Sequence, residues 1–134
     1  MLAIDTNVFV RCLTGDHPIQ SARAKALIEG EDVFVCTAVL LETEWVLRGI
    51  HDYSSQRIIA APRAFAGLPR VEIEAPASIA TAFDWADQGM DFADALHLAK
   101  AAGCNSFVTF DRKFARAANQ LATDKSGSVT VRLP

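Results

Sequence analysis

Long hydrophobic runs are missing from this sequence of 134 residues. No stretch approaches the roughly 20 consecutive apolar residues that a membrane-spanning helix needs. The N-terminal segment MLAIDTNVFV also lacks the basic residues with which a secretory signal peptide begins. Both absences argue against a membrane or secreted protein, so we expect a cytoplasmic location and no membrane partner.

Cysteine is scarce and follows no recognisable spacing. Cys12, Cys36 and Cys104 are odd in number and far apart, which argues against a disulfide framework and against a set of zinc ligands. We expect all three to be small core residues. The sequence also lacks a Gly-x-Gly-x-x-Gly motif and a Gly-Lys-Thr loop, which argues against a nucleotide-binding module.

The residues that are present suit one ordinary globular domain over residues 1–134. Hydrophobic residues make up 51% of the sequence and charged residues 22%, both usual for a soluble fold. The length is sufficient for one hydrophobic core. The net charge of -3 argues, at first sight, against a nucleic-acid partner.

Short apolar segments alternate with longer amphipathic ones, a pattern typical of a parallel sheet flanked by helices. We predict strands at 1–4, 33–36, 71–73, 107–110 and 129–133, and helices at 7–13, 18–29, 38–48, 76–88, 91–102 and 112–119. Residues 124–128 are predicted to form a loop. Pro62 falls inside another helical stretch that begins at Ser54, so we expect a kink or a break near Ala61.

Two aspartates stand at the ends of predicted strands. Asp5 follows the first strand, and Asp111 follows the fourth. Because ligands of open α/β sheets bind beyond the carboxyl ends of the strands, both residues are candidates for a functional site. Each could instead be the N-cap of the next helix, and for either residue taken alone the N-cap is the better interpretation.

Glu42 lies within a predicted helix and has an unusual setting. Its neighbours at three and four residues' distance are all apolar: Ala38, Val39, Trp45 and Val46. An acid on a buried apolar face needs compensation, and no Lys or Arg lies within one turn of it. A bound cation or a distant basic residue must supply that compensation. Glu44, in contrast, can pair with Arg48, and we expect it at the surface.

Asp91 and Asp94 begin a helix that is otherwise apolar and rich in alanine. They could form a capping box, with Asp91 as the cap and Asp94 at the third helical position. Asp94 would then lie near the positive end of the helix dipole, which favours an ionised carboxylate. His97 follows one turn later. We interpret it as a supporting residue, because no other His or Cys joins it at ligand spacing.

Four carboxylates therefore fall on or near one edge of the predicted sheet: Asp5, Glu42, Asp94 and Asp111. Oxygen ligands in this number suit Mg²⁺ or Mn²⁺ better than zinc. Such an ion can polarise a phosphoryl oxygen, activate water and stabilise a leaving oxygen, so we expect phosphodiester hydrolysis. Without these four acids, 12 acids remain against 13 bases, a net of +1. The charge then no longer argues against a nucleic-acid partner.

Four segments, LAIDTNVFVR, AVLLETEWVL, DFADALHLA and FVTFDRKF, occur in this order. Together they resemble the motifs of PIN-domain ribonucleases, and most of all those of the VapC toxins of bacterial toxin–antitoxin pairs. The resemblance implies a three-layer α/β/α sandwich with a central, mostly parallel sheet. It also implies a Mg²⁺- or Mn²⁺-dependent endoribonuclease with an RNA substrate. The implied protein partners are a second copy of the chain and a small antitoxin, whose tail crosses the active-site groove.

The resemblance also assigns roles to individual residues. It places Asp5, Glu42, Asp94 and Asp111 at the family's acidic positions, and Asp5 and Asp94 as the most direct metal ligands. Thr6, Asn7 and Thr109 match supporting polar positions, and Asp91 matches an additional acid. Pro62 departs from the family's pattern, since VapC-like chains usually continue a helix there. This departure affects what we expect of the nearby dimer and antitoxin surface.

RNA binding also needs positive charge near the acids. The candidates for phosphate contacts are Arg11, which follows Asp5, and three residues that follow Asp111: Arg112, Lys113 and Arg116. For each of these residues a solvated helix face is an equally good interpretation.

Other functions remain open at this point. A non-toxin PIN ribonuclease of RNA processing fits the same residues. A phosphohydrolase in which Asp5 attacks phosphate directly would normally carry a second aspartate two residues later, where this sequence has Asn7. A catalytically silent binding protein is disfavoured, because every acidic position is present.

Overall fold

The structure is a computed structural model that describes residues 1–49, 53–122 and 129–134. The described chain divides into two compact units, Met1–Pro76 and Ala77–Pro134. The loop predicted at 124–128 lies outside the described residues. None of the helices in the described ranges has the length and apolar character needed to cross a membrane.

The first unit alternates strands and helices. Its elements are β1 (Leu2–Ala3), α1 (Thr6–Thr14), α2 (Pro18–Gly30), β2 (Val33–Val35), α3 (Thr37–Gly49), α4 (Ser55–Ala66) and β3 (Val71–Ile73). The second unit continues with α5 (Pro76–Asp87), which starts at the boundary, and then α6 (Phe92–Lys100), β4 (Ser106–Val108), α7 (Arg112–Ala122) and β5 (Thr130–Arg132).

Every described strand pair is parallel. In the first unit the strand order is β1-β2-β3, with Leu2 opposite Val33 and Val33 opposite Val71. In the second unit β4 pairs with β5, and Phe107 lies opposite Val131. Parallel strands need crossover connections, and helices supply them here. The predicted α/β class with parallel strands is therefore confirmed.

The core of the first unit anchors the helix that follows Asp5. Val33 and Val35 of β2 are fully buried, as are Leu40 and Leu47 of α3. Phe9 of α1 is also fully buried, and its ring centroid lies 4.4 Å from that of Phe65 in α4. Burying a side chain of this size contributes about 1.5–3 kcal/mol. This packing holds the start of α1 in place.

Aromatic pairs anchor the corresponding helices of the second unit. Phe92, the first residue of α6, stacks on Phe83 of α5 at a centroid distance of 5.4 Å. Phe114, in the first turn of α7, meets Phe107 of β4 edge to face at 5.6 Å. Both contacts lie within one turn of a predicted site aspartate, so they position Asp94 and Asp111.

Of the two outcomes expected near Ala61, a kink or a break, the break does not occur. Helix α4 runs without interruption from Ser55 to Ala66, and the hydroxyl of Ser54 caps it. Proline lacks the N–H that would bond to the carbonyl of Ile58, which normally destabilises a helix interior. The Pro62 side chain is fully buried, however, and the apolar surface that it removes from water offsets this loss.

The buried face of α3 differs from the predicted one. The buried residues are Leu40, Thr43, Glu44 and Leu47, whereas Glu42 is exposed and Trp45 is 70% exposed. The helix carries two apolar stripes, and the one that contains both Leu40 and Leu47 faces the core. The apolar setting of Glu42 in the sequence was therefore not evidence of burial.

Glu44 pairs with Arg48 as predicted, but it is buried instead of exposed. Its side chain is only 6% exposed, and its carboxylate accepts a hydrogen bond from Arg48 Nε at 3.0 Å. Arg48 is the solvent-exposed partner of the pair, and half of its side chain is accessible to solvent. A long basic side chain thus reaches down to a carboxylate in the core.

The cysteines are less buried than expected. Cys12 and Cys36 are half-buried, and Cys104 is exposed. All three are free thiols, in agreement with the predicted absence of a disulfide framework. Burial raises the pKa of Cys12, and the negative charge of Glu29 adds to this effect, while the positive charge of Lys25 lowers the pKa.

Candidate active site

Asp5 caps helix α1. Its Oδ1 accepts a hydrogen bond from the backbone N–H of Val8 at 2.9 Å, and its own backbone is extended. The N-cap interpretation of Asp5 is therefore correct, but it does not compete with a ligand role. A cap bond uses one carboxylate oxygen, and a carboxylate has further lone pairs on both oxygens. The side chain is exposed, so these lone pairs are accessible.

Glu42 is held by the helix that Asp5 caps. The Thr6 hydroxyl, in the first turn of α1, donates a hydrogen bond to Glu42 Oε2 in α3 at 2.5 Å. Thr6, predicted as a supporting residue, is thus placed to orient Glu42 relative to the start of α1.

A second contact ties α3 to the end of strand β3. Glu74 Oε2 accepts hydrogen bonds from the backbone N–H of Thr37 at 2.7 Å and from its hydroxyl at 2.9 Å. Helix N-termini favour a negatively charged partner of this kind. The sequence analysis missed this role of Glu74. The contact fixes the first turn of the helix that carries Glu42.

A pocket of about 380 Å³ lies beside Asp5, between α1 and α2. Its polar lining includes Asn7 and Arg11 of α1 and Arg23 of α2. Arg11 is held in place: its Nη1 lies 2.9 Å from both carboxylate oxygens of Asp16. Whether Arg11 also contacts phosphate stays a prediction. Asn7 is exposed at the lining, and its supporting role stays a prediction.

Three acids lie close together in the second unit. Asp91 caps α6 through a hydrogen bond from the backbone N–H of Asp94 at 3.2 Å, as the capping interpretation predicted. The pKa of Asp94 is raised, first by partial burial and then by the negative charges of Asp91 and Asp111. The nearby His97 acts in the opposite direction. Ionised Asp94 is thus electrostatically disfavoured in the metal-free protein.

Asp111 is positioned by two hydrogen bonds, one to the backbone of Phe114 and one to the side chain of Thr109. Its Oδ1 accepts a hydrogen bond from the N–H of Phe114 at 2.9 Å, which caps α7. Its N–H donates to the Thr109 hydroxyl at 3.0 Å. This hydrogen bond from Asp111 to Thr109 holds the turn between β4 and α7, and the predicted role of Thr109 at the site stays a prediction. The three basic candidates of α7 are all exposed: Arg112, Lys113 and Arg116.

The predicted carboxylates thus form two pairs, one in each unit. Asp5 and Glu42 are linked through Thr6 in the first unit. Asp94 and Asp111 interact in the second. Within either unit, the described His, Cys, Asp and Glu side chains form no group of three or more that could hold a metal ion by itself. Carboxylate oxygens are nevertheless the donors that Mg²⁺ and Mn²⁺ prefer, so the residues fit such an ion.

Residues 2–120 match the family model of the PIN domain. The chain belongs to the PIN domain family. PIN domains are generally metal-dependent nucleases, and divalent ions are their usual cofactors. No curated protein sequence matches the chain. The family model spans both units of the described fold and all four predicted carboxylates.

One polar residue of this PIN domain was missed by the sequence analysis. Arg23 lies outside every motif, on the face of α2 that also carries Gln20, Ala24 and Leu27. That spacing of three and four residues defines one face of a helix. The sequence does not show, however, that this face meets the polar side of α1.

Proposed function

We propose that this PIN domain is a Mg²⁺- or Mn²⁺-dependent endoribonuclease with a centre composed of Asp5, Glu42, Asp94 and Asp111. One observation carries the proposal: in a chain of this family, Asp94 lies close to two further acids, Asp91 and Asp111, and their negative charges add to the effect of partial burial in raising its pKa. Structural acids usually lie beside a base. Acids that crowd together instead indicate a site for a cation.

In this proposal the four carboxylates bind the metal ion, and two threonines orient two of them. Asp5 and Asp94 would bind the ion directly, and Glu42 and Asp111 would complete the oxygen ligands. Thr6 orients Glu42 by its hydrogen bond, and Thr109 orients the turn that carries Asp111. A bound divalent cation would supply the Lewis acidity that polarises a phosphoryl oxygen and activates water. That the two pairs serve one centre is part of the proposal and is supported by the order of the four motifs.

The chemistry of the products tests this proposal. Hydrolysis by water leaves a 5′-phosphate and a 3′-hydroxyl at the cut. We therefore expect mass spectrometry of a defined RNA, cleaved in the presence of Mn²⁺, to show these two ends. Products with a 2′,3′-cyclic phosphate would contradict the proposal, because they arise when the ribose 2′-hydroxyl is the nucleophile.

We further propose that the enzyme is the toxin of a toxin–antitoxin pair, on the strength of the VapC-like motif order. Expression of the wild type in a bacterial host should then arrest growth, and Asp94→Asn should relieve the arrest. A housekeeping RNA-processing enzyme would leave growth unchanged at matched expression. The antitoxin and the homodimer belong to this same proposal.

A further inference from the structure

The pocket beside Asp5 has the size of a small-ligand site. Its volume of about 380 Å³ lies in the range of roughly 300–1,000 Å³ that such sites occupy. We propose that it binds one nucleotide of single-stranded RNA next to the bond to be cut, with Arg23 on a phosphate. This inference rests on the proposed ribonuclease function and extends it to the way in which the substrate is held.

The two arginines of the pocket differ in their electrostatic state. The charge of Arg11 is balanced by Asp16, and its Nε donates a hydrogen bond to Gln20 Oε1 at 2.9 Å. Gln20 lines the pocket as well. Arg11 is therefore held in position as part of the pocket lining. Its positive charge is largely neutralised by Asp16, so it attracts a phosphate only weakly.

Arg23 is a positively charged residue of the pocket that is accessible to a phosphate of the substrate. It is exposed, and it forms no hydrogen bond or ion pair with any residue that the structure describes. It shares the pocket lining with Asp5, a proposed metal ligand. A guanidinium group without an acidic partner, set near the reacting centre, is well suited to bind a phosphate of the substrate strand.

Apart from these residues and Asn7, the lining is apolar. Val8 of α1 and the side chains of Ala24 and Leu27 of α2 supply it. A nucleobase or ribose can lie against such a surface, while the phosphate remains at the polar rim. A base in a duplex is stacked and paired and cannot enter, whereas an unpaired base can be splayed out into a pocket. The lining therefore favours single-stranded RNA over duplex RNA.

Fluorescence anisotropy with a mixed-sequence, single-stranded RNA 12-mer tests this inference. The measurement is made in EDTA, so that binding is read without cleavage. Arg23→Gln should weaken binding about tenfold, the typical loss for a hydrogen bond to a charged group. The slope of log Kd against log salt should fall by about 0.7, the value for one phosphate contact on a single strand. Circular dichroism should show an unchanged fold, because Arg23 is exposed.

Lys25→Gln is the matched control. It removes one positive charge from an exposed position of α2 only two residues away, but Lys25 lies on a different face of the helix and does not line the pocket. The affinity and salt slope of this variant should stay close to those of the wild type. A loss equal to that of Arg23→Gln would show that only the overall charge of the helix matters, and would overturn the proposal.

The remaining outcomes separate the pocket from the nuclease. Wild-type binding and salt slope in Arg23→Gln, with Mn²⁺-dependent cleavage intact, would refute the pocket and leave the ribonuclease standing. Binding that depends on Arg23, in a protein that cuts no RNA with Mn²⁺, would support the pocket and refute the ribonuclease. Failure of the wild type to bind the 12-mer would refute the pocket, since its contacts need no metal. An equal loss on a 12-base-pair RNA duplex would also refute a pocket for an unpaired nucleotide.

Discussion

Three aspartates at the predicted site each cap the helix that follows them. Asp5, Asp91 and Asp111 all accept a backbone N–H from three residues ahead. From sequence, capping and metal binding looked like alternatives. The structure shows that the cap fixes one oxygen and so directs the carboxylate, which leaves ligand capacity in the same group. A sequence can place an acid at a helix start, but it cannot show where the second oxygen faces.

The hydrogen bond from the Thr6 hydroxyl to Glu42 predicts that removing this hydroxyl lowers activity. Thr6→Val removes the donor while keeping the shape of the side chain, so Glu42 loses its orientation. Loss of such a supporting contact typically costs 10- to 100-fold in activity or metal affinity. We expect a decrease of about tenfold in the single-turnover rate of RNA cleavage with Mn²⁺. Thr6→Ser, which keeps the hydroxyl, should remain near the wild type; equal rates in the valine variant would refute the role of Thr6.

The raised pKa of Asp94 makes a prediction about the metal-free protein. The folded state keeps the proton on Asp94 at pH values above 3.8, the ordinary pKa at which the unfolded chain releases it. Between 3.8 and the raised pKa, the folded state therefore binds more protons, and its stability falls as the pH rises. Above the raised pKa this loss persists in full. Asp94→Asn removes the charge, so in EDTA at pH 7 its Tm should exceed that of the wild type.

The control for this experiment is Asp84→Asn, which removes one acid from an exposed position of α5. Thermal unfolding of all three proteins in EDTA should show the increase in Tm for Asp94→Asn alone. A lower Tm for that variant than for the wild type would mean that the ionised carboxylate stabilises the fold.

At the scale of elements, helix α3 shows what periodicity can and cannot predict. The pattern of apolar residues correctly indicated a helix that ends at Gly49. It could not select the buried face, because the buried stripe through Leu40 and Leu47 also carries the polar residues Thr43 and Glu44, so it is no more apolar than the stripe through Trp45. The contacts of α3 with α1 and α4 decide which stripe is covered. Those contacts involve residues distant in sequence, which periodicity does not report.

The contribution of the buried Glu44 to stability can be tested through its ion pair with Arg48. Arg48→Ala leaves the carboxylate of Glu44 buried without this partner, which should cost about 1–3 kcal/mol of unfolding free energy. The matched control is Arg70→Ala, because the pair of Arg70 with Asp32 is exposed on both sides and should contribute about 0–1 kcal/mol. Urea denaturation measures both. Equal losses in the two variants would show that burial of Glu44 adds nothing to the strength of the pair.

At the scale of the whole molecule, the order of the motifs was more informative than the composition. The net charge of -3 suggested no nucleic-acid partner, while the four acidic motifs pointed to the family that residues 2–120 match. The α/β class, the parallel strands and most helix boundaries could also be predicted. The pocket between α1 and α2 could not be predicted, because Arg11 and Arg23 line the same pocket only after the two helices pack.

A shared metal centre predicts that an ion stabilises the folded molecule. Binding to the folded state alone adds about 2.7 kcal/mol when the ion is at a hundredfold excess over its Kd. Millimolar Mn²⁺ should therefore raise the Tm of the wild type. Asp5→Asn in the first unit and Asp94→Asn in the second should each abolish this increase if both pairs bind the same ion. A full increase in either variant would contradict a centre that needs both pairs.

The most direct test of the proposed function is the rate at which a defined RNA is cut by four proteins. These are the wild type, Asp5→Asn, Asp94→Asn and the control Asp84→Asn, each measured with Mn²⁺ and with EDTA. We expect cleavage by the wild type and the control with Mn²⁺, none with EDTA, and a loss of at least about a hundredfold in the two site variants. Cleavage that survives in Asp94→Asn or in EDTA would contradict a carboxylate-bound metal as the origin of the activity.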